Sequence, residues 1–196
     1  MKIEIRADGA HISGYVNATE KKSRPVMTPH GRVIEIIEPR AFERAIQRNP
    51  RITMTVDHDD SRVYADTETR TLDLYEDGIG LHADAVITDP DLIETAKQGK
   101  VRGWSFGMSN VQDEMEPRAD ELPIRHVKDL DLDHITLVVN KTPVYSATSV
   151  EVRADEEISL ETRASDEHVQ LSVEEPAPKP TFDNTAFHNR IKALEV

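Results

Sequence analysis

The chain has 196 residues, 37% of them hydrophobic and 31% charged, and a net charge of −13 at pH 7. A chain of this length can build one hydrophobic core and carry an appendage. Its negative charge disfavours nonspecific attraction to nucleic acid or anionic membranes, and the absence of cysteine excludes disulfides, thiolate metal sites and a cysteine nucleophile. No run of about 18 apolar residues is present and the first residues lack a signal peptide's apolar core, so we expect a soluble, cytoplasmic protein.

The first half of the chain predicts short strands and one helix. Alternation of apolar and polar residues indicates strands, which we place at 1–6, 11–16, 33–37, 52–56, 63–64, 71–75 and 79–86. The polar stretch 17–29, which contains two prolines, is predicted to be a loop. A helix is expected at 41–48, because Phe42, Ala45 and Ile46 form one apolar stripe.

The second half predicts another helix and further strands. The helix is placed at 89–99, between an Asp-Pro start and a glycine end. Strands are expected at 100–108, 130–139 and 145–152, with a polar loop at 111–122. About eight to ten short strands with two helices indicate a mainly β (α+β) fold. We predict a closed or nearly closed β-barrel with flanking helices.

The last forty or so residues differ in composition from the rest. From Ala154 the chain is rich in Glu and Asp, and 174–180 is rich in proline, which is typical of a flexible linker. The final residues could form one amphipathic helix that docks on a partner, since its apolar side chains have helical spacing (Phe182, Phe187, Ile191, Leu194). Plain disorder is the alternative. We therefore predict a globular domain at 1–153 and a linker with a docking segment at 154–196.

The sequence Gly-Trp-Ser-Phe-Gly-Met at 103–108 places one small hydroxyl residue between two aromatic residues. In an extended chain Trp104 and Phe106 point to one face, so Ser105 points to the other. A glycine on each side lets another backbone or a substrate approach closely. A buried serine that bonds to backbone is the commoner outcome, and a nucleophile is the alternative.

His58 follows a predicted strand and stands among the carboxylates Asp57, Asp59 and Asp60. Nearby carboxylates favour the imidazolium, so this histidine could accept and hold a proton. A solvated loop histidine and a metal site are the other interpretations.

His134 lies in the most apolar predicted strand. Alternation would place it on the same face as Leu130 and Leu132, with Asp133 on the opposite face. A histidine in such surroundings needs a hydrogen-bond partner. It is either a core histidine bonded to backbone or a group that orients a second imidazole, as a nucleophilic serine and its base require.

These features together resemble the prohead maturation proteases of HK97-like tailed phages, which are related in fold to the herpesvirus assemblins. The resemblance runs from about Ile12 to Arg153, which is most of the chain. It rests on short motifs in order: ISGY at 12–15, VIEIIEPRAF at 33–42, VDHD at 56–59, TLDLYEDGIGL at 71–81, VRGWSFGM at 101–108, LDHITLV at 132–138 and TPVY at 142–145.

The resemblance implies a role for each candidate residue. It makes Ser105 the nucleophile, His58 the general base and His134 the third member, with Asp133 as the alternative for the third position. That third position is usually Glu in the phage family, whereas the assemblins use a second histidine. A neutral histidine can orient His58 through one hydrogen bond but stabilises the imidazolium less than a carboxylate does. Arg40 stands where the family usually has Gly, and the oxyanion donors are expected to be backbone N–H groups.

The resemblance also implies the activity and its setting. We expect a serine endopeptidase on a herpesvirus-protease-type barrel, with no cofactor and no metal. Its substrates would be the capsid scaffold, or the scaffolding segment of the major capsid protein, and the protease itself. It would act inside the assembling procapsid in the host cytoplasm, as a homo-oligomer such as a dimer, without nucleic acid or membrane partners. The alternatives are a non-catalytic assembly module on the same barrel and a metal-dependent hydrolase that uses residues 57–60.

Overall fold

The computed structural model describes residues 1–28, 31–139 and 169–174. Within these ranges the fold is mainly β, with two helices, as predicted. The elements in chain order are β1 (Lys2–Arg6), β2 (Gly9–Ala18), β3 (Val26–Thr28), β4 (Gly31–Ile37), α1 (Ala41–Arg48), β5 (Thr53–Val56), β6 (Ala65–Asp66), β7 (Leu72–Glu76), β8 (Gly80–Ile87), α2 (Pro90–Lys97), β9 (Gly103–Glu116), β10 (Ile124–Val138) and β11 (Gln170–Val173).

The strands form two sheets. The first has the order β11-β1-β2-β8-β7, and the second has the order β3-β4-β10-β5-β6. In the second sheet β4 and β5 pair in parallel with the first and second halves of β10, while β9 pairs antiparallel along the opposite edge of β10. The central strand β10 therefore brings β5 and β9 to its two sides.

The described strands do not close into a barrel, so the predicted closure is unconfirmed. The two sheets share one hydrophobic core, to which both contribute fully buried side chains. Ile3 and Ile12 come from the first sheet, and Met54, Phe106 and Leu137 come from the second. Burial of apolar area between the sheets is the main favourable term in folding.

Both predicted helices are present. Helix α1 has the predicted bounds, and its Phe42 meets Phe106 of β9 edge-to-face, with ring centroids 5.2 Å apart. Helix α2 begins with Pro90 after Asp89, whose side chain accepts the backbone N–H of Leu92 at 2.9 Å. Neither helix, nor any other among the described residues, has the length and apolar character needed to cross a membrane.

The predicted loop at 111–122 was wrong over its first half, 111–116, whereas 117–122 does connect two strands. Strand β9 continues to Glu116, and β10 begins at Ile124, so the two strands form a long antiparallel ribbon. The end of β9, from Gln112 to Glu116, is exposed and, apart from Met115, polar, so it lacks the apolar alternation that indicates a strand. The facing end of β10 buries Ile124 and Val127, and charge pairs across the ribbon, such as Lys128 with Glu114, add to the pairing.

Other boundaries also differ from the sequence predictions. Strand β3 lies inside the predicted loop 17–29, and the short strand β6 lies just after the predicted strand at 63–64. Strand β11 lies inside the predicted linker and pairs in parallel with β1. The other residues of the predicted tail, and the predicted strand at 145–152, lie outside the described residues.

Candidate active site

The candidate residues lie on one face of the second sheet, where β10 is flanked by β5 and β9. In the register of β9 and β10, Ser105 lies opposite Thr136, and Gly107 lies opposite His134. Residues directly opposite each other in a sheet project to the same side. The side chains of Ser105, His134 and Thr136 therefore share one face of the second sheet.

The opposite face of the same strands enters the core. Trp104 lies opposite Leu137 and Phe106 lies opposite Ile135, and all four are buried in the hydrophobic cluster. The predicted separation of Ser105 from its aromatic neighbours is thus present in the structure. Burying the aromatic residues on one side fixes the strand and, with it, the direction of the serine side chain.

The grouping of His134 with Leu130 and Leu132 was wrong. The pairing of β10 with β9 shifts register between Leu132 and His134. Before this irregularity the core includes Leu130 and Leu132, and after it the core includes Ile135 and Leu137. A bulge adds one residue to a strand and so exchanges the two faces, which places His134 on the face of Ser105.

His58 is presented by a tight turn that follows β5. Asp57 and His58 both have left-handed backbone angles, with φ of 51° and 59°, which is costly for residues other than glycine. Strand β10 holds this turn. The backbone N–H of Asp57 donates to the Leu137 carbonyl at 2.9 Å, and the N–H of His58 donates to Thr136 Oγ1 at 3.1 Å.

The three predicted residues form a continuous hydrogen-bonded series, called here the Ser105–His58–His134 row. Nε2 of His58 is 3.0 Å from Ser105 Oγ, and Nδ1 of His58 is 2.9 Å from Nε2 of His134. Ser105 has no exposed surface, and His134 is 5% exposed. A row of this kind can move a proton from the hydroxyl to the first imidazole while the second imidazole holds the first in place.

The site gives His134 very little space on the side of β9. A Cβ atom built on Gly107 would lie 2.5 Å from Cε1 and 2.9 Å from Nε2 of His134. Real Cβ atoms do not approach other heavy atoms so closely, so the imidazole occupies the volume that a side chain would fill. The glycine at this position is required by packing against the ring, and the sequence alone gave no reason to connect the two residues.

Burial lowers the pKa of His134, and the carboxylates of Asp60 and Asp133 partly oppose this effect. A lowered pKa keeps the imidazole neutral near pH 7. In that form one ring nitrogen donates a hydrogen bond and the other accepts one. A neutral His134 can therefore accept the Nδ1–H of His58.

Asp133, the other candidate for the third position, has a different partner. Its Oδ1 accepts the hydroxyl of Ser109 at 2.8 Å, and burial raises the pKa of its carboxyl group. The nitrogen atom beside His58 belongs to His134. The charge of Asp133 therefore acts on His134 through the electrostatic field, and the hydrogen bond with His58 is made by His134.

The acidic cluster at 57–60 is divided among structural contacts. Asp57 accepts the backbone N–H of Val139 at 2.8 Å, and Asp59 accepts that of Ser61 at 3.0 Å. Over the described parts of the chain, no three His, Asp or Glu side chains are grouped so that they could hold a metal ion. The arrangement thus favours turn formation over metal binding for these carboxylates.

A surface cleft of about 390 Å³ lies elsewhere, across the outer face of the first sheet. Its walls include Lys2, His11, Arg70 and Asp84, and none of the three residues of the row. The candidate site is therefore defined by the chemistry of its side chains and not by the size of a cavity.

Most of the chain matches one protein family. Residues 1–162 match a family described as "Caudovirus prohead serine protease". The chain belongs to this family. The match includes all three residues of the row and runs past the predicted domain boundary at 153. No curated protein and no solved structure shows significant similarity to the chain.

Membership identifies the protein as a phage prohead protease of the serine class. The resemblance stated from the short motifs is thereby confirmed. Sequence reasoning missed two supporting residues, Gly107 and Thr136, because their partners lie on other strands. The only local signal was the second glycine of the motif at 103–108, which had no assigned neighbour.

Proposed function

We propose that Ser105, His58 and His134 are the catalytic residues of this prohead protease, acting as nucleophile, general base and orienting group. The observation that carries the proposal is the row itself. Its two contacts, of 3.0 Å and 2.9 Å, have hydrogen-bond length and use both nitrogens of His58. The family is one of serine proteases, and the row places a hydroxyl, a first imidazole and a second imidazole in the order that this chemistry needs.

The mechanism follows from the protonation states. Neutral His58 carries its proton on Nδ1, where His134 accepts it, so Nε2 is free to take the proton of Ser105. Ser105 Oγ bonds to the peptide carbonyl carbon, and His58 then returns the proton to the leaving amine as the C–N bond breaks. In the second half of the reaction His58 takes a proton from water as the water oxygen bonds to the acyl carbon. It then gives a proton to Ser105 Oγ as the acyl C–O bond breaks, which releases the acid and restores the serine. Because Ser105 has no exposed surface, the groups that cover it must move for a peptide to bind.

We propose capsid scaffold, or the scaffolding segment of the major capsid protein, as the substrate, together with the protease itself. The setting would be the interior of the assembling procapsid in the host cytoplasm. The name of the family supports this setting, since it couples serine protease with prohead. Assembly as a homo-oligomer such as a dimer, and closure of the sheets into a herpesvirus-protease-type barrel, remain predictions from the same resemblance.

The proposal is tested by coexpression with the capsid partner and mass measurement of both proteins. Ser105→Ala and His58→Ala should each abolish processing while the protein stays folded. His134→Ala should retain more activity than either variant, because nucleophile and base remain, and His134→Glu should keep measurable activity. Capsid processing at the wild-type rate by purified Ser105→Ala would refute the serine mechanism. Loss of activity on adding a chelator would favour the metal-dependent alternative.

A further inference from the structure

His134 uses one ring nitrogen in the row, and its other nitrogen faces a carboxylate. Nδ1 of His134 lies 3.7 Å from Oδ1 of Asp60. The His134 side chain is 6% exposed, whereas that of Asp60 is 72% exposed. A buried N–H group at Nδ1 thus faces an anionic oxygen at the edge of the solvent.

The chemistry of the row requires one particular tautomer of His134. His58 can act as base only if its Nε2 is unprotonated, so its single proton must be on Nδ1. That proton needs an acceptor, and Nε2 of His134 can accept only if it is itself unprotonated. The proton of neutral His134 must then be on Nδ1, the atom that faces Asp60. The opposite tautomer would direct two N–H groups at each other or force His58 to carry its proton towards Ser105.

We propose that Asp60 is a positioning residue that selects the catalytic tautomer of His134 and so prepares His58 to act as the base. The inference rests on the proposed function, because it takes His58 to be the base. Asp60 touches neither the nucleophile nor the first imidazole, and it acts entirely through His134.

The separation of 3.7 Å suits this role. It is longer than a direct hydrogen bond, so in the resting state the contact is the attraction of an anion for the positive end of an N–H dipole. When His58 becomes an imidazolium, the N–H of His134 is polarised further and its attraction for the carboxylate increases. Hydrogen bonds of catalytic sites often shorten only at that stage.

The other neighbouring carboxylate does not duplicate this contact. Asp133 adjoins His134 along the chain, but its Oδ1 accepts the Ser109 hydroxyl. On the side of β9, the backbone of Gly107 lies against the ring, and the space where a Cβ would stand is taken by the imidazole. His58 occupies Nε2. Asp60 is thus the charged group that faces Nδ1 among the described neighbours of the ring.

The first measurement is made on the ground state, in the full chain carrying Ser105→Ala. Long-range ¹H–¹⁵N correlation spectra of protein labelled with ¹⁵N-histidine identify the tautomer of each imidazole. With Asp60 present, His134 should carry its proton on Nδ1. Asp60→Ala should shift it towards the Nε2–H form, while Asp60→Asn, which keeps an acceptor oxygen, should retain more of the Nδ1–H form. This readout needs no catalysis.

The second measurement is the rate at which a fluorophosphonate labels Ser105 in the otherwise wild-type chain. Asp60→Ala should lower this rate about ten-fold, because only part of the protein then has the competent tautomer. Asp60→Glu should restore most of the rate. The matched control is Asp59→Asn, which removes the same charge from the same turn yet can still accept the Ser61 N–H, and its labelling rate should equal that of the wild type.

The inference requires both results. An unchanged Nδ1–H tautomer in Asp60→Ala overturns it whatever the rate, and an unchanged labelling rate overturns it whatever the tautomer. An equal fall in the labelling rate of Asp59→Asn would show that any loss of negative charge from this turn has the same effect. That result would also overturn the inference. Failure of the proposed function has a different signature, namely a wild-type protein that is not labelled at Ser105, or labelling that survives His58→Ala.

Discussion

At the scale of single residues, the third position of the row is a neutral ring held in a narrow space. Burial keeps the pKa of His134 low, so the ring can accept a hydrogen bond from the Nδ1–H of His58 while it stays neutral. Its effect then depends on geometry, because a single hydrogen bond must fix the orientation of the base. The absence of a side chain at Gly107 is part of that geometry.

Gly107→Ala should therefore reduce activity more than stability. The new Cβ would collide with the His134 ring, and a displacement approaching 1 Å at a catalytic group can cost about a hundred-fold in rate. We expect the rate of Ser105 labelling by a fluorophosphonate to fall at least about ten-fold, with the far-ultraviolet circular dichroism unchanged. Gly78→Ala is the control, since nothing lies within 4 Å of its added Cβ. A Gly107→Ala protein with the wild-type rate would show that the ring has room to move.

At the scale of elements, turns with unusual backbone angles place the ends of strands and helices. Arg40, at the N-cap of α1, has φ of 68° and ψ of 7°, a left-handed conformation that favours glycine. Glycine, which the resemblance to the phage family leads us to expect at this position, would adopt it without steric cost. Glu76 holds the turn by accepting the backbone N–H of Arg40 at 2.6 Å and that of Glu43 at 2.8 Å. The turn forms despite its strain because β7 supplies both bonds.

Arg40→Gly should raise the melting temperature by about 1–4 °C. Glycine removes the steric cost of the left-handed conformation, and the exposed ion pair of Arg40 with Glu43 contributes little in return. Arg40→Ala is the matched control, because it loses the same ion pair and keeps the steric cost, so its melting temperature should not rise. Thermal unfolding followed by circular dichroism compares the two. An equal rise in both variants would mean that the side chain, and not the backbone angle, is unfavourable.

The β9–β10 ribbon should show a pH-dependent stability. His126 contacts Glu116 at 3.1 Å and Glu38 at 2.9 Å, and the bonds to these carboxylates, with that of Glu116 the larger cause, raise its pKa above 6.5. A raised pKa in the folded state stabilises the protein fully below the unfolded value and loses this effect as pH rises through the folded value. His126→Gln should therefore lower the free energy of unfolding more at about pH 6 than at about pH 9.

Urea unfolding at the two pH values measures this difference. Lys128→Gln is the control on the same ribbon, because the pKa of Lys128 is raised by Glu114 and its ion pair persists at both values. Its effect should be the same at both. An equal loss for His126→Gln at pH 6 and pH 9 would contradict a protonated His126 in the folded protein.

At the scale of the whole molecule, the described fold joins two sheets through one core and adds a strand from the far end of the chain. Strand β11 pairs with β1 through backbone bonds, such as Gln170 N–H to the Met1 carbonyl at 3.0 Å. Its four side chains are all exposed. The strand therefore lies on the edge of the first sheet without extending the core, and it covers that edge.

Two truncations separate this strand from the proposed docking segment. A chain ending at Arg153 loses β11 and should melt about 1–4 °C lower than the full chain, yet Ser105 should still be labelled, because the row lies entirely within residues 58–134. A chain ending at Glu174 keeps β11 and should melt like the full chain. Both should enter procapsids in fewer copies than the full chain if residues 175–196 dock on a partner. An unchanged copy number for the chain ending at Glu174 would remove that role.

The sequence alone determined the class of the fold and helix α1 to the residue, and its resemblance to the phage family pointed to the three residues of the row. These features depend on local patterns: helical spacing of Phe42 and Ala45, alternation around Ser105, and short motifs that keep their order. Such patterns are set by the backbone geometry of a single segment, so they can be read without knowledge of its neighbours.

Only the tertiary structure decided how the segments meet. The register shift after Leu132 turns His134 towards Ser105, and neither strand shows it in its own pattern. Three further contacts join different strands and turns. Gly107 packs against the His134 ring, Thr136 accepts the backbone N–H of His58, and Asp60 faces Nδ1 of His134. The exposed end of β9 escaped prediction for the same reason, since it is held by pairing with β10 and its own side chains from Gln112 to Glu116 are exposed.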